Sequence, residues 1–189
     1  MPEEDGCWVT SDCPASLVVV NPLNSHYENG VRHLEEIYRA RPPLNQDLLG
    51  APHSFAEAIE NMFGQLERRT GVHEPRGWAS VKLEAFGIGA GPEALERLSR
   101  LRKLWNQDKH GSRERDAVEA FQVATPEFAV EVLNLTGALL AAFFFRADGS
   151  RADWIRIGSL AGGKLELTTA TEADQRELMS AWGITVEGF

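Results

Sequence analysis

The chain has 189 residues, 43% of them hydrophobic and 25% charged, which is typical of a soluble globular protein with one domain, or with one domain and a small appendage. Its formal net charge of −9 gives no general attraction to nucleic acid or to anionic membranes, although a local basic patch is compatible with RNA binding. The acidic segment 1–5 lacks a signal-peptide pattern. We interpret the two cysteines, Cys7 and Cys13, as reduced thiols, and we predict a cytoplasmic protein without a membrane segment.

The N-terminal part of the chain is predicted to change from irregular to helical. Within the first 25 residues, 16–20 have the pattern of a short strand that Asn21-Pro22 ends. A helical pattern begins at His26 and stops at the proline pair 42–43. Residues 54–57 have the sequence of a capping box, so we predict that a second helix begins there and continues to the Thr-Gly pair before the next loop.

Two further helices have clear start signals. Pro92 suits the first turn of a third helix, whose leucine stripe ends near Trp105 and which Gly111 is suited to cap. Thr125, followed by proline and glutamate, predicts the start of a fourth helix. The apolar run 132–145 is too short for a membrane span and predicts a buried core helix.

The C-terminal part has a different pattern. Residues 154–157 and 164–168 alternate in the way typical of β-strands, and Gly162-Gly163 between them favours a β-hairpin. A last amphipathic helix is predicted over 171–182. The chain is therefore predicted to be mainly α, a bundle of about four main helices with a small β-hairpin and helix at its C-terminus. The predicted divisions are an irregular segment at 1–25, a helical bundle at 26–146 and a β/α extension at 147–189.

Two segments between the second and third helices allow more than one interpretation. Residues 78–86 fit either a strand or a helix. The glycine-rich stretch 87–91 is followed by Pro92 where a dinucleotide fingerprint needs glycine, so we interpret it as a flexible connection. The histidines at 26, 33, 53 and 73 are scattered and form no metal-ligand pattern, so the sequence predicts neither a metal site nor a cofactor.

The end of the third helix carries the residues with the clearest chemical potential. Helical spacing places Lys103, Asn106, Gln107 and His110 on one face. Histidine can transfer a proton near neutral pH, and an adjacent cation and amide can hold a phosphate. A solvated polar face that ends in a histidine and a capping glycine explains the same residues without any chemistry. Both interpretations stay open at this point.

This helix, followed by a very apolar one, resembles the HEPN family of helical bundles. The family motif is an arginine, four to six further residues and a histidine, often with a polar residue after the arginine and a glycine after the histidine. His110 and Gly111 match its end, and Asn106 matches the polar residue. Trp105 stands where the arginine is expected, while Lys103 has an allowed spacing but lacks the planar fork of a guanidinium.

The resemblance covers about residues 26–145 and implies a homodimer whose two histidine-bearing helix ends face a shared RNA cleft. It implies that His110 acts on the ribose 2′-hydroxyl, that Lys103 and Asn106 complete the catalytic set, and that Arg102 and Lys109 bind RNA. The implied activity is that of a metal-independent endoribonuclease in a toxin–antitoxin or phage-defence setting. Because the arginine is missing, the alternative is a catalytically inactive interaction or scaffolding protein, for example a partner or antitoxin subunit.

Overall fold

The computed structural model describes residues 15–39, 45–73, 78–110 and 125–189, and side chains within 23–36, 50–73, 79–106 and 125–189. Over these ranges the chain is mainly helical with two small two-stranded sheets, so the predicted fold class is confirmed. The predictions about Cys7, Cys13 and Gly111 concern residues outside the described ranges.

Six helices and four strands make up the described part of the chain. The helices are α1 (Ala15–Arg39), α2 (Asn45–Thr70), α3 (Trp78–Ala85), α4 (Pro92–His110), α5 (Pro126–Asp148) and α6 (Glu172–Ala181). The strands are β1 (Ile88–Gly89), β2 (Arg156–Ala161), β3 (Lys164–Thr169) and β4 (Thr185–Val186). β2 pairs with β3 and β1 pairs with β4, both antiparallel.

Helix α5 forms the centre of the bundle. Thr125 caps it by accepting a hydrogen bond from the Phe128 N–H at 3.2 Å, and its residues from Leu135 to Phe144 are buried without a break. α1, α2, β2 and α6 all pack against it. By length and composition α5 could cross a membrane, but 83% of its most apolar 18-residue window is buried within the protein. The predicted buried core helix with its threonine cap is therefore confirmed.

Two predicted helix starts are wrong. α1 begins at Ala15 and includes 16–20, so the strand predicted there is helical. α2 begins at Asn45 and continues through Pro52, which makes Ser54 a buried interior position and not an N-cap. In both cases the extra turns belong to helices that pack along each other, and such packing overrides local β-propensity and capping signals.

The glycine-rich connection before α4 is more ordered than the sequence indicates. Residues 78–85 form α3, which resolves the strand-or-helix ambiguity. Ile88 is fully buried and lies opposite Val186, so β1 and β4 join the middle of the chain to its C-terminal part. The interpretation of 87–91 as a flexible connection did not include this pairing, because the strand partner of β1 lies far along the chain.

The predicted C-terminal hairpin is confirmed and is tied to the bundle along the outer edge of β2. Gly162 and Gly163 make the turn with positive φ values of 58° and 75°. The Asn134 side-chain amide donates to the Gly158 carbonyl at 2.8 Å and accepts from the Gly158 N–H at 2.9 Å. At Arg156, which precedes Gly158 by two residues on β2, the Tyr27 hydroxyl donates to the backbone carbonyl and accepts from the backbone N–H, both at 3.0 Å.

The Tyr27 hydroxyl is suited to this double role. Burial raises the pKa of Tyr27 well above its usual range, even though the hydrogen bond to the Arg156 backbone acts in the opposite direction. The hydroxyl therefore keeps its proton and can donate and accept at the same time. Its ring is fully buried, with its centroid 5.6 Å from that of Phe55 and 5.3 Å from that of Trp154.

Candidate functional site

The candidate site lies on α4, whose predicted start at Pro92 is confirmed. Leu98 and Leu101 are buried on the inward side of this helix. Leu95, Leu104 and Trp105 are partly buried and pack against the same core. The predicted apolar stripe is therefore confirmed, and it fixes which side of α4 faces away from the bundle.

The outward side of α4 carries the residues that the motif selects. Lys103 is exposed and Asn106 is partly exposed. His110 is the last residue of α4, and helical register puts its backbone position on the same face as positions 103 and 106. The side chains of Lys109 and His110 lie outside the described set. Over these two turns the three positions span about 10 Å along the helix axis.

Arg102 and Trp105 lie on a different side of α4, towards α2. Together with Glu60 and Ile59 they line a shallow depression of about 10 Å³, enough for one water molecule. Arg102 is partly buried there, and the Trp105 ring packs against the core. Trp105, the residue at which the HEPN motif would require an arginine, thus packs its indole inward.

A histidine–carboxylate cluster between α1 and α2 was missed by the sequence reasoning. Glu57 was predicted to cap a helix, but its Oε2 lies 3.0 Å from His26 Nδ1, and its Oε1 lies 3.4 Å from His53 Nε2. The spacing of His53 and Glu57, four residues apart, was the available signal. All three side chains are about one-third exposed, and the cluster links the two helices across their interface.

A second charged cluster links α2 to α3. Lys82 Nζ donates to Glu67 Oε2 at 2.9 Å, and His73 contacts the other carboxylate oxygen. The hydrogen bonds from Lys82 and His73 lower the pKa of Glu67 below its usual value. Lys82 is only 12% exposed, so this contact holds a largely buried ammonium group at the start of the connection to α4.

No three histidine, cysteine, aspartate or glutamate side chains within the described ranges are placed to hold a metal ion. In comparisons with known proteins, the chain matches no family model, no curated protein and no solved structure. The functional proposal therefore rests on the residues of α4 and their surroundings.

Proposed function

We propose that this chain is an HEPN-like helical protein that binds or cleaves RNA through the C-terminal end of α4, in a toxin–antitoxin or phage-defence setting. It acts as a cytoplasmic homodimer in which two α4 ends face each other across the RNA. The observation that carries the proposal is the outward face of α4, where exposed Lys103 and partly exposed Asn106 share helical register with His110.

Each residue of this face has a defined role in the proposal. His110 removes the proton of the ribose 2′-hydroxyl, whose oxygen then attacks the adjacent phosphorus. The bond from phosphorus to the 5′-oxygen breaks, and the 5′-oxygen takes a proton from water, which gives a 2′,3′-cyclic phosphate and a 5′-hydroxyl. Lys103 and Asn106 stabilise the charge that develops on the phosphate oxygens. Arg102 and Lys109 extend the basic contact to neighbouring phosphates. This chemistry is that of an endoribonuclease that works without a metal ion.

RNA cleavage by the full-length protein tests the proposal, with light scattering after size exclusion as a measure of the dimer. We expect His110→Ala to lower the cleavage rate by about 100-fold or more, as loss of a general base does. Lys103→Ala should weaken RNA binding and make it less sensitive to salt. Lys164→Ala removes an equal charge from an exposed position of the hairpin turn and serves as the matched control.

A monomer that cleaves no RNA would contradict both the dimer and the nuclease. Cleavage that persists unchanged in the His110→Ala protein would remove the catalytic role of this residue. If the wild type binds RNA without cleaving it, the proposed RNA-binding role stands and the proposed endoribonuclease activity is contradicted.

The second candidate is a catalytically inactive interaction or scaffolding protein, and the packing of Trp105 favours it. The indole lies against the core at the motif position, and Arg102 is partly buried beside it. The ammonium group of Lys103 is a point charge and cannot bind a phosphate through two parallel hydrogen bonds as a planar guanidinium does. Replacing Lys103 with arginine separates the two candidates, because only an RNA-cleaving protein should gain activity from a guanidinium at that spacing.

A further inference from the structure

A groove lies at the opposite end of α4 from the candidate RNA site. It is bounded by the first turn of α4, the N-terminal third of α5 and the last turn of α6, and its volume is about 340 Å³. This volume is within the range of binding pockets for small ligands or single side chains with their neighbours. Glu93 and His110 are separated by about 25 Å of helix, so the groove is a surface distinct from the candidate site.

The floor of the groove is apolar and held in place by close backbone contacts. Val130 and Leu178 are buried, and the partly exposed indole of Trp182 forms one wall. A Cβ atom added to Gly91 would lie 2.8 Å from the Trp182 carbonyl oxygen, so the start of α4 touches the end of α6. The shape of the groove therefore depends on tertiary packing and is preformed.

The rim of the groove is acidic. Glu93 is exposed, and the side chain of Glu131 is 43% exposed. Glu131 forms an ion pair with Arg97, in which Arg97 Nε lies 3.2 Å from Glu131 Oε2. None of the described residues that line the groove is basic. The amide of Asn134, which also lines it, is occupied by its two bonds to Gly158. Arg97 pairs with Oε2 of Glu131, so the acidic groups that the rim presents beside the Trp182 wall are Glu93 and Oε1 of Glu131.

We infer that this groove docks an arginine side chain, with an adjoining apolar residue, from a partner protein. A guanidinium can bind a carboxylate through two parallel hydrogen bonds while its plane stacks on an indole. The apolar floor suits the aliphatic stem of the arginine and a neighbouring leucine or similar residue. The carboxylates Glu93 and Glu131 supply the complementary charge, and Trp182 supplies the stacking face.

The binding of a defined peptide tests the inference. The probe is an acetylated and amidated leucine–arginine–leucine peptide, titrated into the ¹⁵N-labelled full chain and followed by NMR. We expect the indole N–H signal of Trp182 and the amide signals around Val130 to shift. The same peptide with citrulline, which keeps the shape of arginine but has no charge, should bind at least about tenfold more weakly.

Variants locate the binding energy. The double change Glu93→Gln and Glu131→Gln should weaken arginine-peptide binding at least about tenfold, since charged hydrogen bonds are lost. Glu84→Gln removes the same kind of charge from an exposed position on α3, and binding should stay unchanged. Thermal unfolding of each variant verifies that the fold is intact.

Three results would overturn the inference. They are the absence of shifts at millimolar peptide, equal affinity of the arginine and citrulline peptides, and shifts confined to residues outside the groove. Because the groove and the α4 C-terminal end are tested with different probes and variants, failure of one leaves the other standing.

Discussion

The two ends of α4 differ in how they are built. At its C-terminal end, the residues of interest come from a single helix, and Lys103 projects from the bundle. At its N-terminal end, Gly91 lies against the Trp182 carbonyl and β1 pairs with β4, so two segments that are far apart in sequence, 88–91 and 182–186, meet. One end is a helix face that local sequence defines, and the other is a surface that only the tertiary fold creates.

This difference has a consequence for how each end tolerates change. Substitutions on the outward face of α4 should alter binding or chemistry without altering the fold. Substitutions at the closely packed backbone positions of the N-terminal end, such as Gly91, should alter stability first, because the backbone contacts there leave no space. Unfolding free energies of variants at the two ends therefore test this difference between them.

The largest expected effect is that of Gly91→Ala. The added methyl group would lie 2.8 Å from the Trp182 carbonyl oxygen and 3.3 Å from the Gly183 Cα atom, so α4 and α6 must separate. We expect a loss of about 2–3 kcal/mol in unfolding free energy, measured by urea denaturation. Gly64→Ala is the control, because its nearest neighbour, Arg68 Nη1, is 3.8 Å away and alanine favours the helix. Equal effects of the two changes would contradict the close packing at Gly91.

Trp105→Ala should have the next largest effect. The indole packs against the core, so its removal should cost about 2 kcal/mol, less than for a fully buried tryptophan. Lys103→Ala, two residues away on the exposed side, should change stability by less than about 0.5 kcal/mol. Thermal denaturation of both variants measures the contrast. A stable Trp105→Ala protein would mean that the indole is available for a functional contact.

A smaller effect is expected for the ion pair between Arg97 and Glu131, which joins α4 to α5 at the rim of the groove. A double-mutant cycle with Arg97→Met and Glu131→Gln should give a coupling energy of about 0.5 kcal/mol, as is usual for partly exposed pairs. High salt should reduce it. A coupling energy of zero at low salt would show that the two side chains contribute to the fold independently.

The smallest expected effect is a pH dependence centred on Glu67. Its pKa is lowered in the folded protein from the ordinary value of 4.5 by Lys82 and His73. This group therefore stabilises the fold above the unfolded pKa, and the contribution disappears as the pH falls through the folded pKa.

Between about pH 6 and about pH 3, the urea midpoint of unfolding should fall by less for Glu67→Gln than for the wild type. Glu84→Gln, on an exposed position of the adjacent helix, is the control for loss of a carboxylate. Identical pH profiles for the wild type and Glu67→Gln would show that the contact with Lys82 does not survive in solution. Hydrogen exchange in α3 should respond to acid before exchange in α4 near Lys103 does.

Local signals in the sequence were enough for the central part of the fold. Neighbouring residues alone specify three features of it. They are the start of α5 at Thr125 with the following proline, the buried apolar run of α5, and the hairpin turn at 162–163. The same holds for the stripe of α4. The candidate residues Lys103 and Asn106 could be assigned to one face because their spacing alone determines it.

Long-range packing decided the parts that the sequence did not reveal. The β-branched residues at 16–20 favour a strand, yet they belong to α1, a helix that packs on α2. Ser54 has the pattern of a cap but lies inside a helix that continues through Pro52. The pairing of β1 with β4 and the contacts of His26 with Glu57 join residues whose proximity depends on the whole fold.

The bonds that Tyr27 and Asn134 make to β2 also protect the hairpin from association. An exposed strand edge offers unpaired N–H and C=O groups to any other extended chain. At Arg156 and Gly158 those groups are already bonded to a hydroxyl and to a side-chain amide, which occupy the place of a neighbouring strand. The edge of β2 is thus closed to strand addition at these two residues, and an intermolecular sheet would have to grow from β3 instead.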